Sequence, residues 1–138
     1  MIQIPYTKLP SVSQKEVYTP LAKVRLGYKK THQITPFPIV ALIDSGSDVY
    51  FCSDLIGMWL GIKFDKVKTK AEFTAANRST FITKPAVVTL YAYNKQYEYE
   101  FYFSATLPRH TPIILGQLGF FDHFKVLFDF SNRVIELE

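Results

Sequence analysis

The chain has 138 residues, 48% of them apolar and 16% aromatic, with a formal net charge of +4. That length and apolar content fit one compact domain over 1–138 and exclude two full lobes, a disordered tail or a highly charged solvating segment. Cys52 is the single cysteine, which excludes an intrachain disulfide and a Cys-rich zinc site.

Pro5, Pro10 and Pro20 interrupt the first twenty residues, which show no clear period. They predict an extended arm over 1–20 with at most one edge strand. Leu21 to Leu26 alternates apolar with polar and predicts a half-buried strand; Gly27 to Pro38, with Lys29, Lys30, Gln33 and two prolines, predicts a solvated connection. Ile39 to Ile43 is continuously apolar and predicts a buried central strand. It stops at Asp44-Ser45-Gly46-Ser47-Asp48. A helix is predicted next. Ser53 is its N-cap, Asp54 lies in its first turn, Leu55, Ile56, Trp59 and Leu60 fall at helical spacing, and Gly61 stands at C′.

Strand character then resumes. Val67 to Ala75 and Phe81 to Tyr93 flank a turn at Ala76-Asn77-Arg78-Ser79, and Asn94-Lys95-Gln96 turns into a one-side-wet strand from Tyr97 to Phe103. Ile113-Ile114-Leu115 predicts a short buried strand ending at Gly116, and Gln117 to Phe124 a brief helix. Lys125 to Phe130, a Ser131-Asn132 turn and Arg133 to Leu137 predict a closing hairpin. So many strands with so little helix predict an all-β fold, a small barrel or sandwich.

Two motifs carry chemistry. Asp44-Ser45-Gly46 is by itself an ordinary turn sequence. A surface turn, however, needs no buried apolar strand in front of it. A carboxylate at a core strand's end is costly unless amides and hydroxyls hold it, as Ser45 and the Gly46 amide can. The second motif, Ile113-Ile114-Leu115-Gly116, ends 116 − 44 = 72 residues later. Alone it reads as a core strand with a turn glycine; glycine there also lets another backbone pass close.

Ala41-Leu42-Ile43-Asp44-Ser45-Gly46-Ser47-Asp48, then Ile114-Leu115-Gly116, then Phe128-Asp129 before the last hairpin, resemble the retropepsin-like aspartic proteases from about Leu21 to Leu137. The resemblance implies a small closed barrel of the acid-protease type with one or two short helices, functional as a homodimer. It implies that Asp44 is catalytic, that Ser45 buttresses the partner loop across the dimer, and that Gly46 lets peptide backbone approach. Ser47 and Asp48 would bind substrate, and Gly116 is the structural glycine. The family pairs the acidic residue with an Arg beside that glycine; here Gln117 stands there, leaving Arg78 and Arg133 as other possible partners of Asp48. The hairpin flap corresponds to Phe73 to Phe81. Its tip, Ala75-Ala76-Asn77-Arg78-Ser79, would bind substrate and contains no glycine.

Peptide hydrolysis by this route uses two carboxylates that share one proton, the ionised one taking a proton from water and the neutral one donating to the scissile carbonyl. Asp54, Asp65, Asp122 and Asp129 have no Ser/Thr-Gly after them. The second carboxylate is therefore expected from Asp44 of another subunit, in a two-fold dimer. The resulting expectation is an aspartic endopeptidase that cleaves peptides or proteins near bulky apolar residues, with no metal and no cofactor.

The alternative is a non-catalytic module of this fold that dimerises or holds a peptide, motivated by the glycine-free tip and Gln117. A nucleic-acid-binding barrel would rest only on the +4 charge and exposed aromatics, and no nucleic-acid partner is expected. The remaining signals read blandly. His32, His110 and His123 lack metal-ligand spacing. Cys52 is a packing residue at the helix entry. Lys63, Lys66, Lys68 and Lys70 form a solvated face of a strand. Gly116 to Gly119 is too short for a phosphate loop. The aromatics from Tyr91 to Phe103 fill the core and line apolar subsites. Met1 to Tyr6 lacks the pattern of a signal peptide and Ile39 to Ile43 is too short to span a bilayer, so no membrane partner and a cytoplasmic location are expected.

Overall fold

The computed structural model describes residues 1–11, 13 and 16–138. Strands β1 (Ile2–Pro5), β2 (Thr7–Leu9) and β3 (Val17–Thr19) precede β4 (Leu21–Tyr28), β5 (Gln33–Ile34), β6 (Ile39–Ile43) and β7 (Tyr50–Ser53). Helix α1 (Asp54–Trp59) and a 3-10 turn (Phe64–Lys66) lead into the hairpin of β8 (Ala71–Thr74) and β9 (Thr80–Ala92), followed by β10 (Lys95–Ser104). The chain closes with β11 (Ile113–Leu115), α2 (Gln117–His123), β12 (Val126–Asp129) and β13 (Val134–Leu137).

Period-two patterning turns these strands into a ring. In β4, Ala22, Val24 and Leu26 are buried while Lys23 and Arg25 are exposed. The hydrogen-bonded order β4-β6-β11-β7-β10-β9 closes on itself where β4 meets β9, with Arg25 opposite Tyr91 and Gly27 opposite Thr89. This is a closed six-strand barrel, all-β apart from two short helices. Its interior holds Tyr50, Phe101, Leu26, Leu90, Ile113 and Leu115, all fully buried. Closure removes the ring's unpaired edges.

Several elements differ from the sequence-based expectation. The arm over 1–20 carries three strands rather than at most one. Ile2 and Ile4 alternate with exposed Gln3 and dock β1 along β13, with Ile2 opposite Leu137. β2 and β3 form their own ribbon, held by Tyr6 and Tyr18 edge-on to Phe130 and by the Arg133 guanidinium, 4.4 Å from the Tyr18 ring centroid and 4.1 Å from that of Phe130. The expected connection over 27–38 is partly strand, because β4 runs on to Tyr28 and pairs with β5. Strand β7 was hidden between the Asp-Ser-Gly loop and the helix cap; its Tyr50, Phe51 and Cys52 are buried between β10 and β11.

The lysine-bearing strand does not form before Ala71: Lys66 ends the 3-10 turn and Lys68 and Lys70 precede β8, all exposed. α2 is broken at Gly119, whose φ of 98° is left-handed. α1 forms where expected. Ser53 Oγ accepts from Leu55 N at 3.3 Å, and Gly61 (φ 91°) closes the helix with Ile62 N donating to Gly57 O and Gly61 N to Met58 O. Its apolar spacing misleads, however. Leu60 is buried, but Leu55 and Trp59 face solvent, because the helix approaches the barrel through Gly57; a Cβ there would lie 2.5 Å from Phe64 Cζ and 2.9 Å from Phe103 Cδ1. Among the described residues no helix is long and apolar enough to cross a membrane.

Candidate active site

β11 lies between β6, to which it runs parallel, and β7, to which it is antiparallel. That arrangement brings the two short motifs together at one end of the barrel. Asp44 N donates to Leu115 O at 3.0 Å, Gln117 N to Ser47 O at 2.8 Å, and Leu118 N to Asp48 O at 2.9 Å. The Gln117 side-chain amide donates to Ser45 O. The loop over 44–49 is thus strapped along its length to the β11–α2 junction. Gly116 makes the approach possible: a Cβ there would stand 2.3 Å from Val49 O and 2.7 Å from Ser47 O.

Within the loop, Gly46 N donates to Asp44 Oδ1 at 2.9 Å and Ser47 Oγ to Val49 O at 2.9 Å. Asp44 is half-buried, and Ser45 and Gly46 are exposed. Gly46 does not have a positive φ, so the turn does not require glycine for its backbone conformation. What glycine leaves there is space, since an added Cβ would meet only Asp44 Oδ1, at 3.2 Å.

A cavity of about 820 Å³ runs from this loop to the β8–β9 hairpin. Of the residues expected at the site, Asp44, Gly46, Ser47, Asp48, Ala75, Ala76 and Ser79 line it; Ser45, Asn77 and Arg78 do not. The hairpin tip explains the last two. Ala75 N donates to Ser79 O at 2.8 Å and Arg78 N to Ala75 O at 2.9 Å, while Asn77 Oδ1 accepts from Ser79 N at 3.0 Å. This three-residue loop requires a left-handed residue, a place glycine usually takes, and Arg78 occupies it with φ 69°.

Among the described residues Asp48 has no cationic partner. Among the described residues the ion pairs are Lys8–Glu16 and Lys29–Glu98, so Arg78 does not pair with Asp48 and Arg133 is committed to the arm. Gln117 bonds the loop's backbone through its side-chain amide rather than the Asp48 carboxylate.

Sequence reasoning missed the aromatic wall. Phe51 packs against Phe73 at 4.9 Å and Phe81 at 5.5 Å between ring centroids, and Phe73 packs against Tyr102 at 5.0 Å. All but Tyr102 line the cavity. Phe73 and Phe81 are register partners flanking the tip, a symmetry legible in the sequence; Phe51 was not placeable without β7. Leu107, Pro108 and Ile114 complete the apolar side.

Cys52 is fully buried, and that burial pushes its thiol well above the ordinary range. Tyr50 and Tyr97 share a hydroxyl–hydroxyl bond of 2.7 Å, and His123 stacks on Tyr97 at 3.6 Å. Burial raises both phenols, that of Tyr97 to about 12. No group of three His, Cys, Asp or Glu among the described residues is arranged to hold a metal ion.

No family model matches the chain, and no curated protein does. Among solved structures, a retropepsin-like aspartic protease from Rickettsia conorii is similar, with a TM-score of 0.58 and 14% sequence identity over 99% of this chain and 88% of that one. The fold of this chain is retropepsin-like. Identity at that level speaks for the fold; the chemistry has to be argued from the site.

Proposed function

We propose that the chain is an aspartic endopeptidase whose site is assembled from two copies, each contributing Asp44. The observation that supports this most is the setting of Asp44: a half-buried carboxylate at the end of a core strand, facing a cavity of about 820 Å³ beneath a hairpin, on a loop tied at several points to the next motif. One chain supplies half of the acid–base pair. Two Asp44 carboxylates brought together by a two-fold axis share one proton, because like charges a few ångströms apart do not both ionise cheaply. The ionised member takes a proton from water as it attacks the scissile carbonyl, and the protonated member donates to that carbonyl oxygen.

Ser45 fits a role across the axis. It is exposed, and its hydroxyl has no hydrogen-bond partner among the described residues. The hairpin tip and Asp48 would hold substrate main chain, and the Phe51–Phe73–Phe81 wall favours bulky apolar side chains next to the cleaved bond.

The test is Asp44→Asn, assayed on apolar peptides alongside solution mass. Cleavage should fall about 10³-fold or more in a folded dimer. Undiminished proteolysis by the folded variant, or a strict monomer at high concentration, would defeat the proposal. Asp48, without an ion-pair partner among the described residues, and the left-handed Arg78 favour a second reading, a peptide-holding module without hydrolysis. Saturable peptide binding with no cleavage between pH 3 and 8 would select it.

A further inference from the structure

Beyond the cavity at Asp44 lies a larger groove of about 940 Å³, formed by α1, the segment between β5 and β6, and the loop between β10 and β11. Phe37, Leu55, Met58 and Trp59 line it at 65%, 71%, 51% and 49% exposure. Leu55, Met58 and Trp59 stand at i, i+3 and i+4, so they form one stripe on α1. The helix turns Ile56, Gly57 and Leu60 to the barrel and leaves Leu55, Met58 and Trp59 on its exposed side. An apolar stripe of this kind marks a surface that binds something.

Leu107 and Pro108 identify the occupant. Both residues line the groove and also the Asp44 cavity, so the β10–β11 loop is a wall with one face in each. Asp44 itself does not line the groove. Among the described residues the charged groups on its lining are one acid and one base, Asp54 and Arg109, a balance that favours neither a polyanion nor a polycation. Its volume suits several apolar side chains.

We infer that this groove is a substrate exosite: it takes an unstructured polypeptide segment carrying spaced Leu or Phe side chains, continuous with the segment held in the cleft. The inference rests on the protease reading of that cleft. It makes the preferred substrate a flexible apolar stretch of protein rather than a short peptide. Met58 suits such a surface because its unbranched thioether adapts to irregular partners.

The experiment compares two fluorogenic substrates with the same cleavable segment, one short and one extended by a Trp-free stretch with spaced Leu and Phe. The Leu55→Gln/Met58→Gln double variant keeps good helix formers at exposed positions and should fold normally. For the wild type the extension should lower KM about tenfold or more, and the double variant should lose that gain while cleaving the short substrate unchanged. Equal kinetics on both substrates in the wild type, or an equal loss on both in the variant, would overturn the inference.

A second readout does not require catalysis. Trp59 is the only tryptophan and lies in the groove, so in the Asp44→Asn protein its emission should shift to the blue on adding the extended polypeptide. The double variant should show no such shift. If the wild type cleaves neither substrate but the shift appears, the protease reading fails while polypeptide binding in the groove stands. An emission change that follows protein concentration alone would assign the groove to a second copy and overturn the inference.

Discussion

Replacing Gly116 by alanine should cost far more than an ordinary glycine-to-alanine change. The added Cβ would lie 2.3 Å from Val49 O, 2.7 Å from Ser47 O and 2.7 Å from Val49 N. All three neighbours are backbone, so no side chain can rotate away. The β11–α2 junction must separate from the loop over 44–49, and that strains three hydrogen bonds: Asp44 N to Leu115 O, Gln117 N to Ser47 O and Leu118 N to Asp48 O. At about 1 kcal/mol each, partly lost, with overpacking of the same order, the change should destabilise the fold by about 2–4 kcal/mol. For a domain of this size that lowers Tm by about 10 °C. Urea unfolding should show a lower midpoint at unchanged slope. Gly46→Ala is the control, since its Cβ meets only Asp44 Oδ1 at 3.2 Å; stability should change by about 0.5 kcal/mol or less. If Gly116→Ala were as stable as the control, close backbone packing would not be what holds the Asp44 loop.

Arg78→Gly at the hairpin tip relieves a left-handed non-glycine residue and should raise stability by about 0.5–1 kcal/mol in the same titration; a loss would show that Arg78 makes compensating contacts. Cys52 should resist iodoacetamide in the native protein and react fully in denaturant, and labelling of the native fold would contradict its burial. The Tyr97 phenol titrates near 12 in the fold and near its ordinary 10.0 when unfolded, so the unfolded chain loses that proton first as pH rises. The stabilisation is complete below pH 10 and is lost between pH 10 and about 12. Tyr97→Phe should weaken that alkaline loss of stability, and an unchanged profile would reject the assignment.

Much of the barrel was legible because its strands declare their faces. Leu21 to Leu26 alternates, Ile39 to Ile43 is apolar throughout, and Ser53 and Gly61 bracket α1 with recognisable caps. The missing pieces were those whose reason lies elsewhere in the chain. β7 is a short strand with no alternation, legible only once β10 and β11 supply its two neighbours. Strand β1 of the arm finds its partners far along the chain, from Pro5 opposite Val134 with 134 − 5 = 129 to Ile2 opposite Leu137 with 137 − 2 = 135. α1's outward Leu55 and Trp59 could not be foreseen from helical spacing, because the buried face is chosen by Gly57's fit against Phe64 and Phe103. At the site, the Asp-Ser-Gly and Leu-Gly motifs marked the strapped loop. Gln117 stood out beside Gly116 in the sequence, but its contact with Ser45 O was not legible there.

The β4–β9 seam, like the β6–β11 pairing across 113 − 41 = 72 residues, is expected to form late as this chain reaches its native state. The β9–β10 hairpin closes over a short turn, Ala92 opposite Lys95, and can form within microseconds. The seam joins Arg25 to Tyr91 across 91 − 25 = 66 residues and brings no reward until β6, β7, β10 and β11 are ordered between them. Until it closes, β4 and β9 each present an open edge to any other chain. The barrel is expected to fold slowly for its length, on the scale of milliseconds to seconds, and to be most prone to association during that interval.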